Sequence, residues 1–286
     1  MRRALEEPDI APGGRSHLLS RVSKWISQPL ERAIFLFTVR TLARSRQHRL
    51  LLAVYGAIGL AFALAYGKSG WRGRWDHPNV PFLAATLILL FFSIVGVRAI
   101  FILPFELRAN WIFRITAVHS PNAYFTAIRK CLLWLAAAPP LVCVALLLFA
   151  IWPGRPVLEH LAICVAAAFL LVDLFLYRFR KIPFACSYLP GGANLKVKLG
   201  AYGIGFLCLA EVGTLVEFWA FGRLARFLTL LALLVAAVVW AHRRRSEFAA
   251  TDYTPLQFED LPPVDIFALD FRRDSDLIGG EQFIDM

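Results

Sequence analysis

Recognisable catalytic arrangements are missing from this chain. There is no HExxH, no GxSxG, no Walker motif and no clustered His and Asp at metal-ligand spacing. The expectation is therefore a protein that is not an enzyme and holds no cofactor and no metal; any ATPase activity would belong to a separate subunit. Cysteine is sparse too. Cys131, Cys143, Cys164, Cys186 and Cys208 form no CxxC pair, and four of them fall in or beside apolar runs, as reduced, packed thiols do. The opening MRRALEEPDIAPGGRSHLL has neither an apolar h-region nor a small-residue cleavage site, so it does not read as a signal peptide. Charged residues make up only 18% of the chain. The net +11 invites nucleic acid, but the basic residues flank apolar runs, and no nucleic-acid partner is expected.

What fills the chain instead is hydrocarbon. Hydrophobic residues reach 58%, above the roughly 45–50% of soluble domains. Six runs approach the roughly 20 residues that a bilayer core demands: Leu50 to Tyr66, Val80 to Leu103, Cys131 to Trp152, Leu158 to Tyr177, Leu199 to Phe221 and Leu224 to Ala241. Lys and Arg gather in alternate connections, 24 against 6, with Arg98 left inside a span. The positive-inside rule then puts both termini in the cytoplasm. The fold class is all-α, a polytopic membrane helix bundle with an amphipathic interfacial N-terminal helix. Its expected setting is the lipid bilayer of the cell membrane, as a multi-pass protein of the bacterial inner membrane.

Four segments follow from composition. Residues 1–17 carry Pro8, Pro12, Gly13 and Gly14 and read as a mobile N-terminus. Residues 18–49 are basic and amphipathic, with Leu18, Val22, Trp25 and Ile26 at helical spacing and a second piece after Pro29; they suit the headgroup plane or the surface of a partner. Residues 50–245 hold the spans. Residues 246–286 carry half of all the acidic residues, interleaved with Phe258, Leu261, Ile266, Phe267 and Phe271, which implies a docking segment, either folded back on basic connections or bound to another protein.

The stretch from Val80 to Arg114 organises the rest. It leaves its span at Pro104 into FELRANWIFRI, where Leu107, Trp111 and Ile115 align on one side and Glu106, Asn110 and Arg114 on another. Ser120 and Pro121 then restart a helix. The short surface helix is an interfacial spacer or a partner contact made by Glu106, Arg108, Trp111 and Arg114.

Charges inside spans are costly and face protein or water. Arg98 and Asp173 sit at nearly one depth and are expected to pair, unless Arg98 snorkels alone to the surface. Glu211 lies mid-span, as a substrate or proton site or as a structural hydrogen-bonding group, and Glu217 lies about 120° round the helix. His160 reads as an interfacial residue. Gly200, Ala201, Gly203 and Gly205 are candidates for close helix approach, and Pro139 with Pro140 should kink the third span. In the fourth connection, Gly191 and Gly192 between basic flanks suit either lipid phosphate or plain juxtamembrane anchoring.

The basic N-terminal segment, six spans with both ends inside and an amphipathic helix after the second span resemble the layout of ABC-2-type exporter permeases. That resemblance covers about Leu18 to Arg245 and implies a permease that dimerises and meets a cytoplasmic ATPase subunit through Glu106, Arg108 and Arg114. The near-contact of Phe221 and Leu224 departs from it, since such permeases carry a larger outer loop or re-entrant helices there. The alternative is a non-enzymatic membrane scaffold or assembly factor working through the amphipathic loop and the acidic tail. The chain also reads as a portion of a larger membrane assembly.

Overall fold

A computed structural model describes residues 29–71, 76–101, 121–177, 184 and 202–251. The expected FELRANWIFR surface helix with Glu106, Arg108, Trp111 and Arg114, the first 28 residues, Cys186, Gly191, Gly192, Gly200, Ala201 and the acidic tail beyond Thr251 lie outside the described residues. Among those described, 92% are helical and none is in a strand.

The helices follow one another as α1 (Pro29–Arg44), α2 (Arg46–Trp71), α3 (Val80–Ile100), α4 (Pro121–Leu132, a π turn Leu133–Ala137, and Ala138–Ile151), α5 (Gly154–Leu176), α6 (Tyr202–Ala220, with a π turn Cys208–Gly213) and α7 (Leu224–Thr251). Six of them, α2 to α7, are long and apolar enough to cross a membrane. Their outward faces confirm the solvent they need. Leu64, Leu146, Ile204 and Leu233 are each more than 60% exposed, along with many other large apolar side chains, and only hydrocarbon accepts such a surface. The chain is thus an integral, multi-pass membrane protein.

Helix α3 is the hub. In its apolar window 61% of residues are buried, against 11% for α7, which lies at the margin against α5. Asn79 caps α3 by accepting from the Phe82 N–H at 3.1 Å, and Pro81 occupies the first turn, where its missing N–H costs nothing. Around α3, Leu90, Ile94, Val97 and Ile100 meet Ile128 and Leu132 of α4 and Val172 of α5 towards one end, here the α1 end. Leu83 meets Val144, Leu148, Trp152 and Val157 at the opposite end.

Since lipid tails are as apolar as leucine, packing here rests on close contact and hydrogen bonds rather than on escape from water. The closest approach joins α2 to α3. A Cβ added to Gly59 would stand 2.7 Å from Phe92 Cβ, and one added to Gly96 would stand 2.8 Å from Tyr55 Cβ. These two glycines supply the intimate contact. Of the expected small residues of the fifth span, Gly203 and Gly205 do not: both are exposed, and a Cβ on either meets nothing within 4 Å among the described residues.

The proline pair of the third span acts less abruptly than a kink. Pro140 has no N–H for the Ala136 carbonyl four residues back. The helix widens just ahead of it, with the Ala138 N–H reaching the Leu133 carbonyl, and Ser93 of α3 donates its hydroxyl to the Ala136 oxygen at 2.6 Å. A neighbouring helix thereby satisfies the stranded acceptor.

Helix α1 docks on the start of α4 at the α1 end. Its Phe35 enters the core beside Tyr124 and Ile128, and Glu31, 3% exposed, is met by Lys130 at 2.5 Å. The amphipathic face thus covers protein. Phe184, from the fourth connection, closes the same end: it is buried against Phe37, His48 and Phe101, and its N–H donates to the Phe101 carbonyl at 3.1 Å. Its φ of 65° is an uncommon conformation for a bulky side chain, held by these contacts.

Candidate functional site

Three polar constellations break the apolar character of the bundle, two inside it and one on its surface, and each joins residues far apart in sequence. The first is at the α1 end. Asp173, near the end of α5, is fully buried and receives a two-pronged bond from Arg129 of α4, Nε at 2.7 Å and Nη2 at 2.9 Å. Arg245 of α7 brings its Nε to 3.1 Å of the same carboxylate, off the line of its N–H, and His242 Nδ1 lies at 3.8 Å. Two guanidinium groups and one carboxylate therefore tie α4, α5 and α7 together.

The expected pairing of Arg98 with Asp173 is not formed. Arg98 does reach α5, but its Nε donates to the Phe175 carbonyl at 2.7 Å, and its guanidinium lies 6.0 Å from the Tyr202 ring. Depth alone suggested the pair. Arg129 wins because it projects from the polar start of α4 onto the Asp173 side of α5, and Arg245 because α7 runs on as helix to Thr251, ten residues past its apolar stretch.

The second constellation is at the opposite end. Glu217 of α6 and His160 of α5 are both completely buried, with Nδ1 and Oε1 2.5 Å apart. Cys164, one turn along α5, places its Sγ 3.5 Å from Nε2 and 3.8 Å from Nδ1, alongside the ring. Glu217 Oε2 is sealed from solvent and has no hydrogen-bond partner among the described residues. His160 is thus an interior residue rather than an interfacial one. Its pairing was hidden because 57 residues separate it from Glu217.

The third lies on the outside. Glu211, midway along α6 and inside its π turn, is exposed on the bundle surface, where its Oε1 accepts from the Tyr66 hydroxyl of α2 at 2.6 Å. Glu211 and Glu217 therefore face different surroundings, one outward and one inward, as their angular separation on the helix suggests. A π turn often accompanies a functional residue, since it redirects side chains without ending the helix.

No described group of three or more His, Cys, Asp and Glu side chains has an arrangement that could hold a metal ion. The described cysteines are free, Cys131 and Cys164 buried and Cys143 and Cys208 exposed. Comparison with protein-family models, with curated proteins and with solved structures finds no match for this chain.

Proposed function

We propose that this chain is the permease subunit of a membrane transporter of the ABC-exporter type, working as a dimer, with its termini on the cytoplasmic side and a separate ATPase at the α1 end. The observation that carries this reading is the position of Glu211. A carboxyl group at the midpoint of a span, on the outer face of the bundle among Ile204, Leu207, Val212 and Leu215, is poorly suited to lipid. It is well suited to a boundary with a second subunit, where it and the Tyr66 hydroxyl would form a polar strip for a passing substrate. The π turn that presents it supports the same reading.

Cys208 makes the test direct, because it is exposed and lies on the same π turn. Oxidative crosslinking in native membranes should give a disulfide-linked dimer that disappears in Cys208→Ser and persists in Cys143→Ser. Crosslinking through Lys130, followed by mass spectrometry, should recover a nucleotide-binding protein. Absence of a dimer through Cys208, together with recovery of no ATPase, would move the assignment to a membrane scaffold. One observation favours that second reading: the buried carboxylates Asp173, Glu31 and Glu159 are each met by a cation of the same chain, as in a closed, non-conducting bundle.

A further inference from the structure

We infer that His160 and Glu217 form a binding site for a single proton, taken up reversibly from the aqueous phase beyond the end of the bundle opposite α1. This goes beyond the permease reading and is independent of it. The geometry demands a proton between Nδ1 and Oε1, since two lone pairs 2.5 Å apart repel. With that proton alone, the pair carries one negative charge, from an imidazole and a carboxylate. Both side chains are 0% exposed, so that charge has no water to stabilise it. Adding one proton from hydronium, to Nε2 or to Oε2, makes the pair neutral and releases one water molecule. No bond breaks other than the one that carried the proton.

Two positions are ready for that second proton. Oε2 of Glu217 is buried and unpartnered among the described residues, which is unusual for a carboxylate in a packed interior. Nε2 of His160 faces the Cys164 sulfur at 3.5 Å, a weak partner in either role. A pair built only to join two helices would have both carboxylate oxygens satisfied, as both oxygens of Asp173 are by Arg129.

The surroundings leave the pair's charge to be settled by protons. On α5 itself, Cys164 is the titratable neighbour, and Glu159, one position back, is engaged by Arg155 at 2.9 Å. On α6, Thr214 is turned to the Ala210 carbonyl. Among the described residues, no charged group of α2, α3, α4 or α7 stands within ion-pair distance of His160 or Glu217. Arg226 at the start of α7 is occupied over the Trp219 ring, 4.3 Å from its centre, and Asp76 and His77 pair with each other ahead of α3. The way out is short. Glu217 is three residues, about 5 Å of helix rise, from the end of α6, where Gly222 at φ 79° turns the chain into α7.

The test uses the full chain in lipid nanodiscs. Infrared difference spectra between about pH 5 and 10, from the interval over which an ordinary imidazole changes charge upward, should show the rise and fall of one buried carboxylic-acid band or an accompanying imidazolium signal. Glu217→Gln should abolish that transition and Glu211→Gln should leave it. His160→Asn should move its midpoint by about one pH unit or more, a tenfold change in proton affinity. Nitrogen-15 spectra of the unsubstituted chain, labelled at histidine, need no variant: a His160 ring that changes protonation across the interval supports the site. A His160 ring unchanged across it, with no carboxyl transition traceable to Glu217, overturns the inference.

Discussion

Replacing Asp173 with asparagine is the sharpest test of how the α1 end is held. The substitution keeps the size of the side chain and removes the only carboxylate within reach of Arg129 at 2.7 and 2.9 Å and Arg245 at 3.1 Å among the described residues. Removing one partner of a buried pair costs about 3–5 kcal/mol, mostly because the other charge is left without compensation. Arg129 is 18% exposed and can relax towards water, which sets the expectation at the lower figure, about 3 kcal/mol or a hundredfold and more in the folding equilibrium. Reversible unfolding in mixed micelles titrated with denaturing detergent, followed by tryptophan fluorescence, measures it. Arg98→Gln, which removes a bond to a neutral carbonyl, should cost about 1.5–3 kcal/mol. In double-mutant cycles Asp173→Asn should couple strongly to Arg129→Gln and weakly to Arg98→Gln. A stronger coupling to Arg98, or an Asp173→Asn protein within about 0.5 kcal/mol of the parent, would refute the assignment. The charge swap Arg98→Asp with Asp173→Arg should fail to accumulate in membranes, because the new arginine would face Arg129 and Arg245.

Other expectations follow from the packing. Gly59→Leu or Gly96→Leu should force α2 from α3 and destabilise the bundle by about 1–3 kcal/mol in the same assay, whereas Gly203→Ala and Gly205→Ala should be neutral or stabilising by up to about 1 kcal/mol. Ser93→Ala should cost about 1–3 kcal/mol by stranding the Ala136 carbonyl, and much less in a Pro140→Ala background, where a backbone N–H returns to serve it. Phe184→Ala should cost about 3–5 kcal/mol and raise protease cleavage near the α1 end, since three aromatic rings lose their common neighbour. Unchanged cleavage would mean that Phe184 does not hold that end closed.

The sequence carried the number of spans and their approximate places because hydrocarbon length is a one-dimensional property. It also marked Val80 to Arg114 as the organising stretch, because a span, an internal charge and an amphipathic segment follow one another there; within it α3 is the most buried of the six helices, and the segment from Glu106 to Arg114 lies outside the described residues. Helix ends were less legible. Apolar runs stop where charge begins, but helices do not: α2 starts at Arg46 and α7 runs to Thr251. That overrun carries Arg245 to Asp173. Partner choice was the least legible part, because depth in a membrane can be counted along the chain while the direction around a helix axis depends on its neighbours. Arg98 and Asp173 share a level and still point to different groups. Likewise nothing near His160 in sequence announces Glu217, although a histidine and a glutamate at similar distances from the same surface could have been paired by the depth argument applied to Arg98.

The link between Arg129 and Asp173 also bears on how the protein is made. Helices α4 and α5 are joined by only Trp152 and Pro153, so they can enter the bilayer together as a hairpin. An aspartate alone at the centre of a span adds about 2.5–3.5 kcal/mol to insertion, and Asp173, three residues from the end of α5, adds a smaller part of that. Its first partner is already on the preceding helix when α5 is synthesised, and Arg245, more than seventy residues later, arrives only after the hairpin exists. Chain order thus lets the membrane receive the acid with its counter-charge attached, and lets α7 lock onto a hairpin that is already in place.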